Sequence, residues 1–137
     1  MRRRTGPMEN QYTGMIDITH KSPSLRKAIA TATVRVSKPE TIEAVLQCRV
    51  PKGDVFEMAK TAGLFAAKRT HDMIPDCHPL PVEFTAVRYS AGLQEIRIEV
   101  EVHTVYKTGV EVEAMHAASV VALTIYDMLK PIDTDIS

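Results

Sequence analysis

The sequence lacks several features that would point to particular classes of protein. It has two cysteines, too few for a disulfide scaffold or for a site of four thiolate ligands, which favours reduced thiols. No apolar run reaches about 18 residues, and no apolar core follows the arginines at the start, so neither a membrane-spanning helix nor a signal peptide is expected. We therefore expect a cytoplasmic protein with no membrane association.

The charge and the aromatic content disfavour a nucleic-acid-binding protein. The formal net charge is zero, whereas nucleic-acid-binding domains usually carry a basic excess. Aromatic residues make up 5% of the chain and tryptophan is absent, which disfavours a surface for base stacking. Basic residues outnumber acidic ones 13 to 8 up to residue 80, and acidic residues outnumber basic ones 9 to 4 after it. This asymmetry predicts surfaces of opposite charge on one subunit or across a pair of subunits.

The length of 137 residues predicts one domain with a core of its own. Residues 1–13 are polar, and we expect them to form a flexible N-terminal tail. Residues 14–137 are assigned to a single domain.

Alternating side chains predict an antiparallel sheet. Residues 94–106 alternate apolar and polar residues, which is typical of a strand with one buried face. Residues 82–89 form a second predicted strand, joined to the first by a hairpin at residues 90–93. Residues 28–36 form a third, and a short strand is predicted around Asp17.

Apolar residues at helical spacing predict the helices that cover one face of that sheet. A helix is expected to begin near Pro39, and a second covers about residues 55–70, with Asp54 as its N-cap. A long third helix covers about residues 110–130 and ends before Pro131. Strands that pair antiparallel, with helices over one face, predict an α+β two-layer sandwich.

The long helix separates two acidic residues of interest. Glu113 and Asp127 are 14 residues apart, so they lie within about 40° of each other around the helix but about 21 Å apart along it. If both serve one site, a second subunit must bring the far end near. Lys130 can pair with Asp127 three residues away, which alone indicates an ordinary ion pair at the helix end.

A lysine precedes the predicted N-terminus of the second helix. Lys52 is followed by Gly53 and the Asp54 cap, so its ammonium group adds to the backbone N–H groups that favour anions there. The glycines of a P-loop are absent, and the signal is weak by itself. Lys68 and Arg69 later in this helix are consistent with a solvated face.

A rigid loop holds the remaining candidates. Prolines at positions 75, 79 and 81 constrain residues 74–81, which contain Cys77 and His78. A zinc site would need two further ligands, and the spacing does not imply that the available histidines converge; these are His71, His103 and His116. A histidine that binds substrate or transfers a proton is the favoured interpretation.

Taken in order, several segments resemble the MoaC family, the cyclic pyranopterin monophosphate synthases of molybdenum-cofactor biosynthesis. The resemblance extends from about Met15 to Lys130. The segments that carry it are Lys52-Gly53-Asp54-Val55-Phe56, Ala66-Ala67-Lys68-Arg69-Thr70, Ile74-Pro75-Asp76-Cys77-His78-Pro79-Leu80, Lys107-Thr108-Gly109-Val110-Glu111-Val112-Glu113-Ala114, Ala117-Ala118-Ser119-Val120 and Ala122-Leu123-Thr124-Ile125-Tyr126-Asp127-Met128.

The resemblance implies a substrate and roles for residues. The substrate would be a cyclised dihydro-GTP made by an upstream radical enzyme, rearranged to a pyranopterin with a cyclic phosphate and release of pyrophosphate, without metal or cofactor. Asp127 matches the general acid/base, and Lys52 and Lys130 match the essential lysines. The substrate-binding candidates are Asp76, Cys77, His78, Val112 and Glu113, to which we add Glu111 and Lys68.

The resemblance also implies a ferredoxin-like fold and a homohexamer, a trimer of dimers, with sites between subunits. On this basis Lys52 and Asp127 are candidates to reach one site from different subunits. Asp76, His71 and Val112 depart from the residues usual in the family, which commonly continues beyond the long helix into a further strand and a Gly- and Lys-rich tail. The alternative is a non-catalytic small-molecule or partner-binding module on the same fold.

Overall fold

The computed structural model describes residues 14–137, so the tail predicted for residues 1–13 lies outside the described residues. One strand is followed by three helices, two strands and a long last helix. These are β1 (Ser24–Arg35), α1 (Pro39–Leu46), α2 (Val55–Lys68), α3 (Thr70–Met73), β2 (Phe84–Ala91), β3 (Glu95–Tyr106) and α4 (Glu111–Leu129).

The three strands form one antiparallel sheet in the order β1–β3–β2. In the central strand, Val102 pairs with Ala28 of β1 on one side and with Thr85 of β2 on the other. The alternation predicted for β3 is confirmed, because its inward side chains are fully buried: Ile96, Ile98, Val100, Val102 and Thr104. One face of the sheet is therefore apolar and must be covered.

Two helices cover that face. α4 packs against β1 and β3, and α2 packs against α4 and β2. Gly63 allows α2 and α4 to approach, because a Cβ atom at Gly63 would lie 2.5 Å from Cγ2 of Val121. By length and composition alone α4 is apolar enough to cross a membrane. Eight of its residues are buried, so its place as the core helix of this fold accounts for its apolar character.

The predicted α+β, ferredoxin-like sandwich is confirmed as a class: an open three-stranded antiparallel sheet with helices is compatible with that fold. After α4 the chain returns to the sheet on the outer side of β1. There Ser137 exchanges two backbone hydrogen bonds with Arg35, at 2.7 and 2.9 Å.

The short strand predicted around Asp17 is wrong. The Asp17 carboxylate instead accepts hydrogen bonds from the backbone N–H and the hydroxyl of Thr19, at 2.9 and 2.8 Å. Such a local turn competes with strand pairing. In this segment Ile18 is buried, whereas Met15 and Ile16 are exposed.

The helix starts are confirmed, but three apolar positions are not in the core. Pro39 occupies the first turn of α1, and the Asp54 carboxylate caps α2 by accepting from the Glu57 N–H at 3.1 Å. Three apolar residues that share the helical spacing of α1 and α2 are nevertheless exposed to solvent: Leu46, Met58 and Phe65.

Asp133 ties the end of α4 to the start of α1. Its side chain is 4% exposed. The carboxylate accepts from the N–H and hydroxyl of Ser37, the hydroxyl of Thr41 and the N–H of Asp135, at 2.9 to 3.0 Å. Burial alone would raise the pKa of Asp133, but these hydrogen bonds together lower it to about 2.

Asp133→Asn should lower the free energy of unfolding by roughly 1–3 kcal/mol at pH 7. Each carboxylate oxygen accepts from a backbone N–H, so the amide nitrogen of asparagine must face one of these two donors. Denaturant unfolding measures the loss, and Asp135→Asn, at an exposed neighbour, is the matched control with little expected change.

The difference in the free energy of unfolding between wild type and Asp133→Asn should depend on pH. Because the folded-state pKa of Asp133 lies below its ordinary value of 3.8, its stabilising contribution is complete above about pH 4 and is lost as the pH falls towards 2. The difference between wild type and Asp133→Asn should narrow over that interval. A difference that stays constant down to pH 2 would contradict this role.

Candidate active site

A pocket of about 320 Å³ opens beside the first turn of α4. Its walls are the segment before β1, the loop between α3 and β2, and residues 108–113. The structure brings six of the predicted substrate-binding residues to this pocket: Asp76, Cys77, His78, Glu111, Val112 and Glu113. Their roles towards a substrate stay predictions.

Glu113 is the buried acid of the pocket, with 3% of its surface exposed. Its Oε2 accepts a hydrogen bond from Sγ of Cys77 at 3.2 Å. Its Oε1 is buried and has no hydrogen-bond partner within residues 14–137. An unpaired buried carboxylate oxygen is costly, so Oε1 is available to accept a hydrogen bond from a ligand in the pocket.

Cys77 orients this acid. Burial, and then the hydrogen bond to Glu113 and its negative charge, raise the pKa of the Cys77 thiol to about 12. The thiol therefore stays protonated at neutral pH and acts as a hydrogen-bond donor, because a nucleophilic cysteine needs its thiolate form.

His78 is held by the segment before β1. Its Nε2 donates to the backbone carbonyl oxygen of Ile16 at 2.6 Å, since a carbonyl oxygen can only accept. In the neutral ring this leaves Nδ1 as the acceptor. The sequence interpretation missed both Ile16 and Lys21, which adds a cation to the pocket wall. No local sequence pattern predicts that a backbone carbonyl or a single lysine in an irregular segment will line a pocket.

A second cluster lies at the other end of α4. Gly53, with a φ of 116°, takes a left-handed conformation that favours glycine and turns the chain between Lys52 and the Asp54 cap. Nζ of Lys52 then reaches α4, where it donates to the backbone oxygen of Asp127 at 3.0 Å and to its Oδ2 at 3.2 Å. Both side chains remain open to solvent, with 43% and 66% of their surfaces exposed.

Two predictions about this cluster are corrected. Lys130 does not pair with Asp127. Its Nζ lies 5.9 Å from the centre of the Tyr126 ring. The Asp127 carboxylate pairs with Lys52 instead. Lys52 and Asp127 also meet within one chain, so a second subunit is not needed to bring them together. Lys68 at the end of α2 lines neither the pocket nor the Lys52–Asp127 pair.

The two clusters are separated by the length of α4. Glu113 in its first turn and Asp127 in its last are about 21 Å apart along the helix axis. One chain therefore presents an acidic pocket at one end of α4 and a lysine–aspartate pair at the other.

The histidines weighed as metal ligands lie apart. His103 contacts Glu101 on the outer face of the sheet, and His116 bonds Thr70 between α4 and α3. Over the part of the chain that the structure describes, no three His, Cys, Asp or Glu residues are grouped in a way that could hold a metal ion.

Comparison with known proteins places the chain in a family. The profile of the MoaC family matches residues 15–137. The chain belongs to the MoaC family. It is 48% identical over 129 residues to the cyclic pyranopterin monophosphate synthase of Roseiflexus sp. (strain RS-1), a match that covers 93% of this chain and 81% of the relative.

Further relatives agree with this assignment. The cyclic pyranopterin monophosphate synthase of Nitratidesulfovibrio vulgaris is 46% identical over 130 residues, which cover 93% of this chain and 80% of the relative. A probable cyclic pyranopterin monophosphate synthase of Pyrococcus furiosus is 40% identical over 121 residues, covering 88% and 77% of the two chains. The resemblance stated from the sequence segments is thus confirmed.

Alkylation should distinguish the two cysteines of this MoaC-family chain. Cys48 is exposed, whereas Cys77 is half-buried with a pKa of about 12. At pH 7.5, iodoacetamide should modify Cys48 first and leave Cys77 largely unmodified in a peptide mass spectrum. Glu113→Gln removes the charge that helps to raise the pKa of Cys77, so it should speed modification of Cys77, while Glu111→Gln should not. Equal rates at the two wild-type cysteines would contradict the assignment.

Proposed function

We propose that this chain is a cyclic pyranopterin monophosphate synthase, a lyase of molybdenum-cofactor biosynthesis. It converts (8S)-3',8-cyclo-7,8-dihydroguanosine 5'-triphosphate, the cyclised dihydro-GTP, into cyclic pyranopterin monophosphate and releases diphosphate. The observation that carries the proposal is the match, over 93% of the chain, to relatives of that name. The geometry of the two clusters supplies chemistry that fits the reaction.

The pocket suits the purine-derived part of the substrate. The ring nitrogens and amino group of a guanine derivative donate hydrogen bonds, and the unpaired Oε1 of Glu113 is a buried acceptor for one of them. His78, held through Nε2, is within the same pocket and can exchange a proton through Nδ1. Cys77 holds Glu113 in place as the substrate binds.

The Lys52–Asp127 pair suits the phosphate end. A ring closure at the α-phosphate needs a hydroxyl that loses its proton and a diphosphate leaving group whose charge is neutralised. Asp127, with Oδ2 3.2 Å from an ammonium group, is the general acid/base of the proposal. Lys52 and Lys130 supply positive charge for the phosphates, and no metal or organic cofactor is assigned.

The substrate must meet both clusters, and the length of α4 prevents one chain from offering both at the same point. The proposal therefore includes a homo-oligomer with sites between subunits. The resemblance to the family implies that this is a homohexamer arranged as a trimer of dimers. It also places the enzyme in the cytoplasm, downstream of a radical enzyme that cyclises GTP. Lys68 stays a candidate for binding the outer phosphates from a neighbouring chain.

Turnover tests the proposal, measured as diphosphate release from the cyclised dihydro-GTP. Lys52→Ala should lower kcat by about 100-fold or more, because it removes a charge that stabilises the reacting phosphates. The melting temperature should stay near that of wild type, because Lys52 is solvent-exposed.

Lys60→Ala is the matched control. Lys60 forms an exposed ion pair with Glu57 on α2, with side-chain exposures of 41% and 64% that closely resemble those of the Lys52–Asp127 pair. It should turn over substrate like wild type. Substrate binding by wild type without any diphosphate release would favour the non-catalytic module, and full activity of Lys52→Ala would remove Lys52 from the mechanism.

A further inference from the structure

A partly buried hydrogen bond joins α4 to the start of α3. Nδ1 of His116 lies 3.0 Å from the hydroxyl oxygen of Thr70, and Thr70 is 1% exposed. His116 itself is half-buried. Among residues 14–137, no other side-chain hydrogen bond joins α3 to α4. The proposed reaction gives His116 no part in binding or proton transfer, yet the fold holds its ring against α3.

The direction of this hydrogen bond is fixed by a second one. The Thr70 hydroxyl also lies 3.0 Å from the backbone carbonyl oxygen of Ala66. A carbonyl oxygen can only accept, and a hydroxyl has one proton to give, so the Thr70 proton points to Ala66. The Thr70 oxygen then accepts from His116, which carries a proton on Nδ1. Nδ1 keeps this proton whether the ring is neutral or protonated, so the hydrogen bond does not depend on the charge of the ring.

Backbone hydrogen bonds connect Thr70 to Cys77 in the pocket. The Ile74 N–H donates to the Thr70 carbonyl oxygen at 2.9 Å, and the Cys77 N–H donates to the Ile74 carbonyl oxygen at 3.1 Å. Pro75 restricts the backbone between the second pair. The segment from Thr70 to Cys77 is thus short and internally hydrogen-bonded, so a shift of its start also moves the Cys77 thiol.

Two side chains of α4 hold this segment at its two ends. Glu113 accepts from the Cys77 thiol at 3.2 Å, and His116 donates to Thr70. Glu113 and His116 are three residues apart, so they are neighbours on the surface of the helix, about 4.5 Å apart along its axis. The hydrogen bond of His116 therefore limits how far the segment can move away from α4, and with it how far Cys77 can move from Glu113.

We propose that His116 is a positioning residue of the pocket: its Nδ1–H holds Thr70 on α4 and thereby keeps the Cys77 thiol hydrogen-bonded to Glu113. With Cys77 on Oε2, Glu113 presents Oε1 to the pocket in one orientation. The effect of His116 on turnover rests on the proposed function, whereas its effect on Cys77 rests on the hydrogen bonds alone.

Alkylation of Cys77 by iodoacetamide, followed by peptide mass spectrometry, tests the proposal without any measurement of activity. His116→Leu removes the donor, so Cys77 should be modified about 5- to 10-fold faster, as expected for the loss of one hydrogen bond. His116→Asn keeps an N–H donor near the position of Nδ1, and its Cys77 should react at nearly the wild-type rate. Leucine favours a helix more than asparagine does, so a general weakening of α4 would give the opposite order.

Two controls belong to this experiment. Exposed Cys48 is the internal reference, and its rate should be the same in every variant. His71→Leu is the matched control with a wild-type rate at Cys77, because His71 follows Thr70 directly but pairs with the exposed side chain of Asp72. Equal rates at Cys77 in His116→Leu and wild type would overturn the proposal, and so would equal acceleration in His116→Leu and His116→Asn.

A double variant tests whether His116 acts through Glu113. Glu113→Gln should itself speed modification of Cys77, because it weakens the hydrogen bond that His116 maintains. Adding His116→Leu to Glu113→Gln should then change the rate little, since the two substitutions disturb the same contact. An acceleration as large as in the wild-type background would show that His116 acts by another route and would overturn the proposal.

NMR of ¹⁵N-labelled histidine reads the proton on the ring directly. The Nδ1 signal of His116, identified by its loss in His116→Asn, should be that of a protonated nitrogen in both the neutral and the charged ring. A neutral ring with a bare Nδ1 would overturn the direction of the hydrogen bond and with it the proposal.

Turnover separates this role from a general loss of stability. His116→Leu should raise KM for the cyclised dihydro-GTP about 5- to 10-fold with little change in kcat, because it disturbs Glu113 and leaves the Lys52–Asp127 pair intact. His116→Asn should keep the wild-type KM. A fall in kcat at unchanged KM would overturn the role of His116 in the pocket. If wild type releases no diphosphate, the proposed function fails, and the alkylation and NMR results still decide the role of His116.

Discussion

The rigidity and length of α4 set the distance between the pocket around Glu113 and the Lys52–Asp127 pair. Fourteen residues of continuous helix keep Glu113 and Asp127 about 21 Å apart, and no rearrangement of side chains closes that gap. The sheet fixes α4 by burying its inner face against β1 and β3. Asp133 fixes its far end to the start of α1 through three hydrogen bonds from Ser37 and Thr41. The fold thus holds two clusters of opposite character at a constant distance.

Each cluster is built by bringing a distant segment to one end of that helix. At the first turn, the loop with Cys77 and His78 and the carbonyl of Ile16 close around Glu113. At the last turn, the bend at Gly53 delivers Lys52 to Asp127, 75 residues away in sequence. The first cluster buries an acid with an unpaired oxygen, and the second leaves an ion pair in solvent. In the proposed function, the first cluster binds the polar ring system and the second serves the phosphates and proton exchange.

Patterns with a local cause could be predicted from the sequence. The alternation in β3 and the apolar spacing of α4 follow from burial of one face, and the Asp54 cap satisfies a backbone donor three residues away. Six candidate substrate-binding residues could be grouped because the resemblance to the family covers their segments. The strand expected around Asp17 does not form, because the Asp17 carboxylate accepts a hydrogen bond from the Thr19 N–H in a local turn.

Contacts between distant segments could not be predicted. The spacing of Asp127 and Lys130 favours a local ion pair, but Lys130 lies over Tyr126 and Lys52 pairs with the Asp127 carboxylate instead. No pattern within α4 predicts that Lys52 lies there. No sequence motif predicts the hydrogen bonds of Asp133, because the donors Ser37 and Thr41 lie far from it in the chain. The link between Ile16 and His78 uses a backbone carbonyl, which any residue could provide.

The most direct test of the shared site is a mixture of two inactive variants. After exchange of subunits, His78→Ala chains keep an intact Lys52–Asp127 pair and Lys52→Ala chains keep an intact pocket. Random pairing should therefore restore about a quarter of wild-type diphosphate release. A mixture of Lys52→Ala and Asp127→Asn should restore none, because both lesions lie in the same pair. Recovery in that second mixture, or none in the first despite mixed oligomers in native mass spectra, would contradict a site completed by two chains.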